Sequence, residues 1–150
     1  WVINNAPGEE EVHRVFGNFK TNYAFNNWIN LGINLGADVT SDKRKQSFEI
    51  GSRTNPTGRI LHDDYLTRQS DINMFVTGDG DISEDFSFNY LVGANYFSFK
   101  RTRQNAVGIG LLFPGFQDIS NTSTVSSFTD ITKYRSKGFF VITSFFWKRD

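Results

Sequence analysis

In WINLGINLGADV, residues 28–39, every second side chain is apolar. Ile29, Leu31, Ile33, Leu35, Ala37 and Val39 alternate with Asn30, Gly32, Asn34, Gly36 and Asp38. A period of two belongs to a β-strand whose faces meet different surroundings. A protein core and water satisfy that pattern, and so do lipid and a hydrated lumen.

Four further stretches carry the same period, so strands are expected near 13–25, 28–39, 65–77, 85–99 and 137–147. In the first, Val15, Phe19, Tyr23 and Phe25 oppose Arg14, Asn18, Lys20 and Asn22. In the third, Leu66, Ile72, Met74 and Val76 oppose Thr67, Gln69, Asp71 and Asn73. In the fourth, Phe86, Phe88, Tyr90, Val92, Ala94 and Tyr96 oppose Ser87, Asn89, Gly93 and Asn95. The fifth, GFFVITSFFW, is apolar on both faces; Phe139, Val141, Phe145 and Trp147 are placed outward, with the opposite choice left open. No segment repeats apolar residues at helical spacing over three turns.

The connections alternate in length. Asn26-Asn27 suits a tight turn, because Asn tolerates positive φ, and GDGDISED (78–85) is a short acidic turn. Residues 40–64 and 100–136 are long and polar and are expected to be loops on the opposite side. Long loops on one side and short turns on the other describe an outer-membrane β-barrel, with the long side extracellular and the short side periplasmic. Tyr23, Phe25, Trp28, Phe86, Phe88 and Trp147 lie near the short-turn ends, where an aromatic girdle would meet the membrane interface. A register slip of one residue would turn Lys20 and Asp38 toward lipid, at roughly 2–4 kcal/mol for a midplane Lys and less for Asp. Arg68 has the apolar-face parity but sits near the loop end, where that penalty falls toward ~0–1 kcal/mol.

Composition narrows the function. Lys+Arg and Asp+Glu are equal at 16 each, so nothing points to nucleic acid, and the run Lys43, Arg44, Lys45 reads as a loop facing water or an anionic leaflet. The chain has no Cys and therefore no disulfide framework or thiolate metal site. Asp79, Asp81, Ser83 and Asp85 have calcium-loop spacing, but position six is Glu84 and position twelve is Tyr90, so a solvated turn is the reading. His13 and His62 lack partners at ligand spacing, no nucleophile elbow occurs, and no carboxylates pair as glycosidase acid and base. No catalysis, metal or cofactor is expected. The chain begins at Trp1 and ends among charges at Asp150, and it reads as a piece of a longer product. Five strands are too few to close a barrel on their own.

The run HRVFGNFKTNYAFNNWINLGINLGADVTSDKR resembles the early barrel region of SusC/RagA-type TonB-dependent transporters, outer-membrane proteins of Bacteroidetes. The likeness continues through GRILHDDYLTRQSDINMFVTGDGDISEDFSFNYLVGANYFSFKR, GLLFPGFQDISNTS and YRSKGFFVITSFFWKRD, in the family's order. The resemblance implies one all-β domain, 1–150, forming about five antiparallel strands of a 22-stranded transmembrane barrel. The N-terminal domain, TonB box and plug would lie elsewhere. It also implies import of oligosaccharides or peptides, energised through TonB and lidded by a SusD-like surface lipoprotein. Within this chain, Arg101, Arg103, Phe113 and Phe116 are the candidates for substrate or partner contact, since aromatic faces stack on sugars and guanidinium groups bind polar ones. Two alternatives stand beside this reading: a soluble β-sandwich that binds glycans, and an uncoupled outer-membrane pore.

Overall fold

The computed structural model describes residues 6–26 and 28–147. The alternating stretches form five strands: β1 (Gly8–Asn26), β2 (Ile29–Phe48), β3 (Arg59–Ser83), β4 (Phe86–Leu111) and β5 (Thr122–Trp147). They pair in sequence order in one sheet, as consecutive antiparallel hairpins do. The only helical turn among the described residues is a 3-10 turn, Ile119–Asn121.

The strands are longer than the sequence suggested, and the long connections are correspondingly shorter. Residues 40–48 continue β2, 59–64 begin β3, 100–111 continue β4 and 122–136 begin β5, leaving connections of 49–58 and 112–121. The expected loops near 40–64 and 100–136 are corrected to these shorter segments. Polar residues on both faces mask alternation, while backbone pairing continues wherever a neighbouring strand supplies partners. The acidic turn shrinks as well. Asp79 and Asp81 lie within β3, and only Glu84 and Asp85 separate it from β4. Asn27 lies outside the described residues, while the Asn26 side-chain oxygen accepts a hydrogen bond from the Trp28 backbone N–H at 3.0 Å.

Contacts divide the chain into two units, and every strand contributes to both. One gathers the start of β1 with Val39–Arg68 and Lys100–Thr132; the other gathers Phe16–Asp38, Gln69–Phe99 and the end of β5 from Lys133. The second unit holds the alternating windows. Among its described residues no second sheet lies over this one, and Phe19, Leu35, Met74, Val92, Phe139, Val141 and Phe145 stand exposed on one face. A β-sandwich would have covered that face with another sheet. No such second sheet forms among the described residues.

Ring contacts settle the orientation of β5. Phe145 stacks on Phe86 at 5.8 Å, and Trp147 meets Phe86 edge-on at 6.0 Å, so the odd residues of β5 join the apolar face of β4. On the other face Phe140 covers Gly93 and Phe75 covers Gly32, each ring occupying space that a Cβ would need. The sheet's own rings thus fill the space beside both glycines. Gly93→Val is expected to displace Phe140 at about 1–3 kcal/mol, seen as a weakened folded band when the full-length protein is run unboiled on SDS gels.

Candidate functional site

The polar face of the first unit carries a charged and aromatic cluster at residues that, Tyr65 apart, the sequence had assigned to loops. Alternation continues through Asp42 and Arg44 on β2, Asp63 and Tyr65 on β3, and Arg101 and Arg103 on β4, which places them on one face. Arg103 binds Asp63 in fork geometry, with Nε donating to Oδ1 at 2.7 Å and Nη2 to Oδ2 at 2.7 Å. Its guanidinium lies 5.4 Å from the Tyr65 ring centre and 5.4 Å from that of Phe128, between two aromatic side chains. The Tyr65 hydroxyl donates to Asp63 Oδ2 at 3.1 Å. Arg44 repeats the motif more openly: it forks onto Asp42, reaches Glu10 at 3.1 Å and lies 5.6 Å from the Tyr65 ring centre.

The Arg103 guanidinium is the main cause of a lowered Asp63 carboxyl pKa; burial opposes it and the Tyr65 hydroxyl assists. The same pairing raises Arg103. A depressed carboxylate contributes stability above its unfolded pKa and loses that contribution as pH falls through the folded one. The pair is therefore expected to persist through neutral and mildly acidic pH and to open only at a pH below the ordinary carboxylate range. Asp63→Asn should speed amide hydrogen exchange on β3 and β4 around the pair at neutral pH and flatten its acid dependence. Equal exchange in both proteins would contradict the pairing.

Arg101 is exposed and lines a shallow cavity of about 450 Å³ with Thr40, Asp42, Arg44, Tyr65 and Thr67. Guanidinium, carboxylate, hydroxyl and ring faces suit a polar ligand with charges of both signs. Of the residues expected to make contact, Arg101 and Arg103 share this face, although Arg103 is already engaged by Asp63. Arg44, Tyr65, Asp63 and Phe128 were missed. The signal was the same alternation, carried into polar sequence.

Phe113 and Phe116 lie in the 112–121 connection, which is built around Asn121. The buried Asn121 amide donates to the Phe113 and Phe116 carbonyls at 2.7 Å each, and its oxygen accepts from Phe113 N–H at 3.1 Å. The buried Glu49 carboxylate accepts from Gly115 N–H at 3.2 Å and from the Gln117 amide at 3.3 Å. Leu111 is buried beside Gly58, whose φ of 81° only glycine adopts freely. The phenyl rings turn away from this packing and are 67% and 56% exposed.

At the short-turn end, Phe86, Phe145 and Trp147 cluster, and Phe88 stacks on Tyr90 at 6.2 Å. Tyr23, Phe25 and Trp28 are exposed at the β1–β2 end.

No family model and no curated protein matches the chain. Solved structures do, among them three of RagAB. The RagAB peptide transporter matches with TM-score 0.86 over 96% of this chain at 15% identity. The RagAB peptide importer matches in its closed-closed state with TM-score 0.87 over 97% at 15% identity, and in its open-open state with 0.82 over 96% at 16% identity. The chain shares the fold of a segment of these RagAB structures. It spans 16–17% of their chains. The neighbours are transporters rather than enzymes, in keeping with a non-catalytic wall.

Proposed function

We propose that this chain is part of the wall of an outer-membrane importer, energised through TonB, lidded by a SusD-like lipoprotein and carrying peptides. The connections 49–58 and 112–121 face outward from the cell, and the turn at Glu84-Asp85 faces the periplasm. One observation carries the reading most directly. The apolar rows 29–39 and 86–96 each run about eleven residues, the length a tilted strand needs to cross a bilayer, and on β3 the row Ile72–Val76 continues toward Leu66 with Arg68 and Ser70 near its loop end. Beyond them the same face turns polar at Ser41 and Lys43, at Asp64, and at Ser98 and Lys100. Lipid contact explains an uncovered apolar band, and water beyond the headgroups explains its sharp edge. The RagAB structures support a lipoprotein lid and a peptide cargo. The mixed-sign cluster of Arg44, Tyr65, Arg101 and Asp42 supports a peptide independently, because peptides present both charges. The exposed Phe113 and Phe116 rings favour oligosaccharide stacking, or docking of the lipoprotein, as the second reading.

The test is uptake of labelled short peptides by cells carrying or lacking the full-length gene, with and without a protonophore. Uptake should need both the gene and the proton-motive force. Uptake that survives the protonophore would identify an uncoupled pore, and uptake that survives deletion would remove the transport reading. Arg101→Ala is expected to lower peptide uptake several-fold while leaving barrel assembly unchanged, as checked by the unboiled band.

A further inference from the structure

On β5 the apolar-face residues Trp147, Phe145, Val141 and Phe139 are followed at the same parity by Lys137, Arg135 and Lys133. Three consecutive outward positions are thus cationic. The intervening residues Tyr134 and Ser136 are uncharged, so every charge from 133 to 137 points to the face that holds the apolar row. The orientation rests on contacts at both ends of the stretch. Lys137 Nζ lies 6.0 Å from the centre of the Tyr96 ring, which belongs to the apolar face of β4, while Tyr134 meets Phe97 at 6.0 Å on the opposite face.

All three cations are exposed, and none has an ion-pair partner among the described residues. Their neighbours on that face of β4 within the same unit, Tyr96 and Ser98, carry no acid. A surface that merely needed water would do as well with mixed signs. Like charges two residues apart on one strand face repel, so an uncompensated row costs stability unless something anionic lies against it.

We propose that Lys133, Arg135 and Lys137, with Tyr96, bind the phosphate groups of a phosphorylated glycolipid in the outer leaflet. This inference rests on the membrane reading of the chain. Position selects lipid over free phosphate, since the cations begin where the apolar row ends and would stand at the depth of the headgroups. Tyr96 adds an amphipathic ring at that depth, and Lys137 sits over it.

The experiment uses the full-length protein in detergent, titrated with bisphosphorylated lipid A or with its dephosphorylated form, with bound lipid counted by native mass spectrometry. The unmodified protein should retain the phosphorylated lipid and release the dephosphorylated one. Replacing Lys133, Arg135 and Lys137 together by Gln should weaken retention at least about ten-fold, while the unboiled band stays unchanged. K133R/K137R should retain the lipid. Equal retention of both lipids, or unchanged retention by the Gln variant, would overturn the proposal. Displacement by millimolar inorganic phosphate would also overturn it, by assigning the site to the free ion. A protein with no heat-modifiable band and no outer-membrane fractionation would instead overturn the membrane reading itself.

Discussion

Ile33→Arg in the full-length protein is expected to deplete the folded barrel from the outer membrane, whereas Asn34→Arg, one residue along, is expected to be tolerated. Ile33 lies mid-row in the apolar face of β2, with Leu31 and Leu35 exposed on either side and no second sheet above them. In lipid, an Arg there costs roughly 2–4 kcal/mol near the midplane, enough to shift assembly by about thirty-fold to nearly a thousand-fold. Asn34 faces the other way, where a cation can be hydrated. The unboiled band in outer-membrane fractions reads both variants. Equal loss in both would mean that the two faces meet similar surroundings. Equal tolerance would mean that the apolar face meets water.

The contrast between neighbouring residues was legible in the sequence because one face of β2 carries only apolar side chains over a bilayer's thickness. The same clarity held for Phe86 to Tyr96 on β4. It failed in two places for opposite reasons. In β5, Phe140, Ile142 and Phe146 make the second face as apolar as the first, and alternation alone could not choose. Packing chose, through Phe145 and Trp147 on Phe86 and Phe140 over Gly93. In residues 40–48, 59–64, 100–111 and 122–136 polar residues fall on both faces among the apolar ones, so a strand pattern read by hydropathy dissolves while the hydrogen-bonded ladder continues. The Asp63–Arg103–Tyr65 cluster lay hidden there. Reading 63, 65, 101 and 103 by parity rather than by polarity would have placed all four on one face. Arg101 and Arg103 were singled out for their chemistry alone. Their difference, one exposed beside a cavity and the other clamped by Asp63, needed coordinates.

Asn121→Ala is expected to loosen the 112–121 connection and, with it, the presentation of Phe113 and Phe116. One buried amide serves two carbonyls and one N–H there, and Ala serves none. A lost polar partner of this kind costs about 1–3 kcal/mol, so transient opening should rise by roughly ten-fold or more. Limited proteolysis of the full-length protein should show faster cleavage within 112–121. Cleavage elsewhere should be unchanged, because β4 and β5 retain their ladder. Glu49→Gln should give a smaller effect in the same segment, since its amide can still accept from Gly115 N–H. An unaltered cleavage rate in Asn121→Ala would show that the connection is held by something other than this amide.

The two faces of β2 can be compared residue by residue. No cysteine occurs in this chain, so single Cys substitutions from 29 to 39, each carrying a spin label, report local surroundings without competing labels in this stretch. In the membrane-embedded full-length protein, collision with oxygen and with a water-soluble nickel chelate should alternate with a period of two. Oxygen should dominate at 29, 31, 33, 35, 37 and 39, and the chelate at 30, 34, 36 and 38; position 32 is omitted, because the Phe75 ring fills the space a Cβ would take there. If the odd positions met the chelate as readily as the even ones, or were shielded from both reagents, hydrocarbon would not be what covers the apolar face, and the barrel-wall account would be contradicted.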